Sequence, residues 1–227
     1  VTGLRNALEI GGLIITTDNS GGIGQKREDL VAVPDRVTAR FAARVCLLEQ
    51  WAADAEPEAV LLHNFSGEAS WEPYCEGIRD VFDEIGELAP PIKGSSETNM
   101  LLRQSAVAVT FIGRSTAGLQ PAAGDWFIYG TPLTGGAVLE LPGNIASLAK
   151  LQEARRQNLI CRIWPAGSGG ILAELEHAVP GAVPADTLVD LSASAGPATA
   201  VLLQIAPDKQ PAAHAHFGPL LQPLARG

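Results

Sequence analysis

The junction between residues 13 and 26 constrains this chain more than any other stretch. An apolar run, Leu13-Ile14-Ile15, reads as a buried strand. It feeds Thr16-Thr17-Asp18-Asn19-Ser20-Gly21-Gly22-Ile23-Gly24-Gln25-Lys26. From Asp18 onward a carboxylate, a hydroxyl, three glycines and a lysine fall within nine residues. Glycines at a strand end let backbone N–H groups approach an anion without side-chain obstruction. Lys26 offers a point positive charge suited to phosphate, and Asp18 a hard oxygen suited to Mg²⁺. The chemistry so assembled is that of a nucleotide-phosphate and metal site. The competing reading is a glycine-rich turn between two strands, with Asp18 and Asn19 as ordinary turn formers.

Two better-known phosphate motifs are absent. A P-loop requires G-x-x-x-x-G-K-[ST], which Gly21 to Arg27 does not satisfy. The dinucleotide fingerprint G-x-G-x-x-G fails because the residue three after Gly24 is Arg27.

Other polar stretches follow apolar ones downstream. Leu30 to Pro34 reads as a short strand stopped by proline. Asp35 reads as the N-cap of a helix to about Ala53, with Val37, Phe41, Val45, Leu48 and Ala52 as its apolar face. Glu49 falls at the border of that stripe, either as a solvated flank or looking into a site. Glu56-Pro57 breaks the chain, and Ala59 to Leu62 forms a strand ending in His63-Asn64-Phe65-Ser66-Gly67. Ser70 caps a helix running to about Gly86, with Ile78, Val81, Phe82 and Ile85 buried. Gly94-Ser95-Ser96-Glu97-Thr98-Asn99-Met100 is a second dense polar stretch, and Ala106 to Gly113 a strand rich in β-branched residues. Three polar loops thus lie close to strand ends, where a rigid sheet positions binding groups.

Beyond Gly124 the pattern changes. Trp126 to Tyr129 reads as an aromatic strand, Asn144 as a cap for a helix to about Gln157, and Leu159 to Trp164 as a strand. Gly167-Ser168-Gly169-Gly170 then opens the helix Ile171–His177. A Gly/Ser turn at a helix N-terminus either binds an anion through its unpaired N–H groups or simply packs tightly. Ala198 to Leu203 is the last expected strand, before a Pro/Ala-rich tail in which His214 and His216 read as a solvated pair rather than metal ligands.

Composition narrows the function classes. The net charge of −9 argues against a nucleic-acid surface. No run approaches the ~20 apolar residues of a membrane-spanning helix, and no secretory leader is evident. Cys46, Cys75 and Cys161 lack metal spacing and read as reduced core thiols, which points to the cytoplasm. No G-x-S-x-G nucleophile elbow occurs, because Ala166 breaks the pattern around Ser168. The expected fold is α+β, with mixed sheets backed by helices in two subdomains, residues 1–114 and 115–227.

With Asp18-Asn19-Ser20-Gly21-Gly22-Ile23-Gly24-Gln25-Lys26 and Gly94-Ser95-Ser96-Glu97-Thr98-Asn99-Met100 both in place, the chain resembles the aminoimidazole ribonucleotide synthetase-like (PurM-like) ATP-binding superfamily. In that group an early D-G-[VI]-G-[ST]-K-like loop and a later G-G-[ED]-T loop bracket ATP and Mg²⁺. Ala55-Glu56-Pro57 matches a G-A-E-P-like segment, which places Glu49 where the family has a helix aspartate. The three segments beginning at Asp18, Leu61 and Gly94 are closest to the α-ribazole kinase branch. That branch phosphorylates the 5′-hydroxyl of α-ribazole for the lower loop of cobamides. The resemblance covers about residues 12–114 and is weaker through Gly130 to Leu133 and Gly167 to Gly170. The chain departs from many relatives in having Glu49 and Glu97 for aspartates, and a short C-terminal half.

The resemblance implies an ATP-dependent kinase in which Asp18, Glu49 and Glu97 hold Mg²⁺. Lys26 and the N–H groups of Gly21, Gly22 and Gly24 would neutralise or cradle phosphate oxygens. Asn19, Ser20, Asn64, Ser96, Thr98 and Asn99 would surround nucleotide and substrate, with His63 a possible general base. Gly167, Ser168, Gly169 and Gly170 would meet the acceptor. It further implies a PurM-like N-terminal sheet domain that closes a barrel in a homodimer, with a smaller α/β C-terminal subdomain. Edge residues Val31, Val33, Val107 and Val109 would suit that dimer. A non-catalytic nucleotide-binding or regulatory protein, and an enzyme acting on another small substrate, are the alternatives, with a purely structural scaffold third.

Overall fold

The computed structural model describes residues 4–116 and 123–226. The chain divides into two compact units, Val1–Thr116 and Ala117–Gly227. Among the described residues no helix is long and apolar enough to cross a membrane.

The first unit runs β1 (Leu8–Ile10), β2 (Leu13–Gly21), β3 (Ile23–Gly24), β4 (Val31–Ala32), α1 (Asp35–Ala52), β5 (Ala55–Asn64), α2 (Trp71–Glu84), β6 (Ile92–Ser96) and β7 (Ala106–Ser115). Five strands form one mixed sheet in the order β1-β2-β7-β5-β6, with only β5 and β6 parallel. Gly11 and Gly12, at φ +58° and +78°, make the tight turn that joins β1 to β2. A separate parallel ladder links β3 to β4.

The strands extend further than local patterning suggests. β2 continues through Asp18, Asn19, Ser20 and Gly21, because β7 offers a ladder partner for every residue from Leu13 to Gly21. Glu56-Pro57 does not break the chain either. It lies inside β5, where the register with β7 shifts between Pro57 and Ala59 and so accommodates the missing proline N–H.

Helix α1 covers one sheet face and is itself covered by α2. Its buried set includes Ala39, Ala42, Ala43, Cys46, Leu47, Gln50 and Trp51 together with Leu48 of the expected stripe, whereas Val37, Phe41, Val45 and Ala52 of that stripe are only half-buried. Small residues win because the helix is sandwiched and must approach both neighbours closely. Gly77 of α2 lies so near Arg36 O that a Cβ there would overlap it. Arg36 clamps the same crossing through a bidentate pair with Asp80 at 2.7 and 2.6 Å. On α2 the expected residues Ile78, Val81, Phe82 and Ile85 are buried, and Phe82 stacks on Phe111 of β7 at 5.7 Å.

The second unit contains β8 (Asp125–Tyr129), α3 (Ala137–Glu140), α4 (Leu148–Arg156), β9 (Arg162–Pro165), α5 (Gly170–Ala178), β10 (Val201–Ile205), α6 (Gln210–Phe217) and β11 (Leu221–Ala225). Its four strands are wholly antiparallel, ordered β11-β8-β10-β9. Trp126, Ile128, Trp164, Leu202 and Leu224 form a core with Ile171 and Leu175 of α5. Asn144 is not the cap of α4. Ser147 is, accepting a hydrogen bond from Lys150 N at 3.3 Å. The Pro/Ala-rich tail is ordered as α6 and β11; His214 is exposed, as expected, and His216 is half-buried. His216 Nε2 lies 2.8 Å from Lys150 O, and His214 meets Phe127 edge-on at 5.5 Å.

Of the valines expected at a dimer-forming edge, three are buried. Val107 and Val109 are buried on the helix side of a central strand, and Val33 is buried as well. The exposed large apolar side chains on strands of the first unit, Leu8 and Ile10, lie on the sheet face away from the helices. There Leu8 and Ile10 of β1 stand opposite Ile15 and Leu13 of β2.

Candidate functional site

Strand register brings the three polar segments to one end of the first sheet. Gly21 pairs with Ala106, and Asn64 faces both Val107 and Ser96, so β2, β5 and β6 end where β7 begins. Alternation along the strands then sorts the side chains onto two faces. Ser20, Val107, Asn64 and Ser96 form a row on the helix side. Asn19, Ala108, His63 and Ser95 form the next row, on the open side.

Asp18 is on the helix side, one alternate position beyond buried Thr16, whose hydroxyl donates to Cys46 O at 3.0 Å. Burial pushes the Asp18 carboxyl up to about 6, opposed by the Asn19 N–H. The Cys46 thiol donates to Val109 O at 3.2 Å and is itself held well above its usual range by burial and then by the Asp18 charge. A carboxylate kept ionised here at neutral pH opposes folding.

The glycine-rich turn is built by internal hydrogen bonds. Gly22 N donates to Ser105 O at 2.8 Å, so this N–H is not free to cradle a phosphate. Gly22 lies at φ +71°, and a Cβ on Gly24 would overlap the Ser105 side chain. Asp29, which no sequence motif singles out, organises the turn. Its carboxylate accepts from Lys26 N at 2.8 Å and from the N and Oγ of Ser105, both at 2.7 Å. Burial opposes its ionisation, but those donors hold its carboxyl below the usual range. Lys26 Nζ donates to Leu102 O at 2.9 Å. Gly21 alone of the three glycines has open space where a side chain would stand.

Asn64 is a buried hub. Its Nδ2 donates to Gly67 O at 2.8 Å and Ser96 Oγ at 2.9 Å, while Oδ1 accepts from Ser66 N at 2.8 Å. Ser66 Oγ in turn lies 2.6 Å from the Tyr74 hydroxyl, whose pKa burial pushes up to about 12. Asn64 therefore shapes the loop rather than offering free donors. Glu97 accepts from Asn99 N at 2.7 Å and Met100 N at 3.0 Å, which holds its carboxyl below the usual range and folds the turn that exposes Thr98 and Asn99.

His63 and Asn19 are exposed on the open face, whereas Asp18 and Ser20 project to the helix side. Glu49 is 1% exposed and faces Arg5 and Asn6 of the N-terminal segment. Asp18, Glu49 and Glu97 do not meet. Among the described residues no group of three His, Cys, Asp or Glu side chains could hold a metal ion. The residues present therefore do not fit the expected three-carboxylate Mg²⁺ site.

In the second unit, Gly167 to Gly170 form a packed turn. Gly170 N donates to Gly167 O, Leu172 N to Leu191 O, and Ala195 N to Gly167 O. Gly170, at φ +79°, has the Leu191, Ser192 and Ala193 carbonyls where a Cβ would sit. Ser168 remains exposed.

This α+β fold is shared with several solved structures. The chain matches hydrogenase maturation protein HypE, solved in complex with ATP, at TM-score 0.65 and 13% identity, over 96% of this chain and 78% of that one. It matches thiamine-monophosphate kinase from Stenotrophomonas maltophilia K279a at TM-score 0.59 and 16% identity, over 97% and 88%. AaThiL complexed with AMPPCP and TMP matches at TM-score 0.59 and 11% identity, over 97% and 82%. At such identities the likeness is one of fold. No family model and no curated protein matches the chain.

Proposed function

We propose that the protein binds ATP and transfers its terminal phosphoryl group to a small hydroxyl-bearing acceptor, the 5′-hydroxyl of α-ribazole being the first candidate. The observation that carries this reading is the convergence of three polar segments at one sheet end around Asp18, a carboxylate whose burial is costly. The shared fold with an ATP complex and with thiamine-monophosphate kinases supports it. The acceptor rests on the Asp18, Leu61 and Gly94 segments alone.

Phosphoryl transfer needs positioning and charge neutralisation more than covalent chemistry. Lys26 would meet phosphate oxygens after releasing Leu102 O, and exposed Thr98 and Asn99 would line the nucleotide. Gly21, Ser20 and Ser96 would lie along the same rim. Asp29 and Asn64 would hold the rim's shape. His63 and Asn19 would reach a substrate only from the open face. Any magnesium would enter with the nucleotide, since no three-carboxylate site awaits it among the described residues.

A second reading, a nucleotide-binding protein without turnover, is favoured by one observation: Gly22 N and both ends of the Asn64 amide are already used internally. ADP release from ATP, with and without α-ribazole, separates the two. Riboside-stimulated release that is lost in Asp18→Asn supports the kinase. ATP binding without release supports the second reading.

The open sheet face supports a homodimer as well. Leu8, Ile10, Ile15, Leu61 and Ile112 lie on it, and a second copy presenting the same face would bury them symmetrically.

A further inference from the structure

We infer that Arg5, and not a metal ion, is the resident cation of Glu49, and that the pair is a strap holding the N-terminal turn on helix α1. Glu49 Oε1 takes the Arg5 guanidinium and also accepts from Asn6 Nδ2 at 3.2 Å. The two charged side chains are only 9% and 2% exposed. The other oxygen, Oε2, is sealed from solvent without a hydrogen-bond partner among the described residues. A divalent ion could reach that oxygen only by opening the packing above it. It would also stand beside a fixed guanidinium that already neutralises the carboxylate.

The backbone bears the same reading independently. Arg5 lies at φ +40°, a conformation that a non-glycine residue adopts only where its surroundings enforce it. Ala7 N closes the turn on Leu4 O at 2.7 Å, and Leu4 and Ala7 pack against Ile14, Ala53 and Ala55. The next helix residue does matching work on the sheet. Gln50 Nε2 donates to Ile14 O at 2.9 Å and to Phe111 O at 3.2 Å. Neighbouring residues of α1 therefore tie down the N-terminal turn and the β2–β7 pair, and Arg5 acts as a positioning residue for the hairpin that leads to Asp18.

Hydrogen exchange and Mn²⁺ titration followed by electron paramagnetic resonance test this on the full chain, in Arg5→Met and Glu49→Gln. Exchange of amides 4–10 should rise about tenfold or more in both variants, while α2 stays protected. Mn²⁺ binding by Glu49→Gln should stay within about twofold of the parent, an absence of binding by the parent counting the same way. A loss of about tenfold or more in Mn²⁺ affinity would overturn the inference. So would unchanged exchange in Arg5→Met, which carries the test alone if Glu49→Gln does not fold.

Discussion

Asp29 and Ser105 are joined by two hydrogen bonds of 2.7 Å, one carboxylate oxygen taking the serine N–H and the other its hydroxyl. The turn after β2 and the start of β7 therefore behave as one piece, which Gln104 Nε2 extends by donating to Glu28 O at 2.7 Å. Asp29→Ala removes three acceptor contacts at once, counting that from Lys26 N. The expected cost is about 1–3 kcal/mol, because hydrogen bonds to a charged group exceed neutral ones in strength but this carboxylate is partly solvated. Urea unfolding should show a lower midpoint with an unchanged slope, and Asp29→Asn should lie between the two.

The glycines separate into packing and permissive positions. A Cβ on Gly94 would overlap Leu62 O on the parallel neighbour strand, whereas one on Gly21 meets nothing within 4 Å. Gly94→Ala should cost about 3 kcal/mol or more, since a backbone carbonyl cannot yield as a flexible side chain does. Gly21→Ala should change stability by less than about 1 kcal/mol, with a small gain from a less flexible unfolded chain. Thermal denaturation of the pair checks this. A large loss at Gly21 would mean that its space is not open.

How much of this was legible before folding differs by element. The apolar starts of β2 and β7 and the buried face of α2 follow from local periodicity alone. The continuation of β2 through Asp18 to Gly21 does not, because its partner lies about ninety residues away in β7 and only that ladder makes a polar segment extended. The same holds for Glu49. Its place at the border of a helical stripe was readable, but Arg5, forty-four residues earlier, was not. Asp29 carries a faint local signal, an aspartate three residues after Lys26 in a turn, yet its partner Ser105 is again remote. The polar segments that do lie at strand ends are those set by chain order. Those that sequence reading misread are set by which face a strand turns inward.

Asp18 gives a pH test of the site. Its folded carboxyl titrates near 6, raised from 3.8 by burial. A raised folded pKa means that the folded state binds the proton more tightly. The stabilising contribution is thus full below about pH 4 and is lost as pH rises through about 6. Asp18→Asn should flatten the stability profile across that window. At pH 7 it should be more stable than the parent by about 1–3 kcal/mol, the upper figure being two pKa units taken without solvent screening. Chemical denaturation from pH 4 to pH 8 measures both. A variant less stable than the parent at pH 7 would show that the charge is compensated.

The open sheet face makes the oligomeric state testable without any ligand. Leu8 and Ile10 are 59% and 58% exposed on β1, and register sets Ile15 and Ile112 beside each other on the same face. Arg114, Lys93 and His63 lie farther out on that face, so an apolar centre has a polar surround. Two such faces related by a twofold axis would pack as sheets about 10 Å apart, each copy burying the other's apolar centre. Ile112→Lys places a charge at that centre while leaving the helix-side core of β7 untouched. Sedimentation velocity should then show a dimer for the parent and a monomer for the variant, with the same far-ultraviolet circular dichroism. A parent that sediments as a monomer at tens of micromolar would remove the dimer from the proposal, and leave the exposed apolar face to another partner.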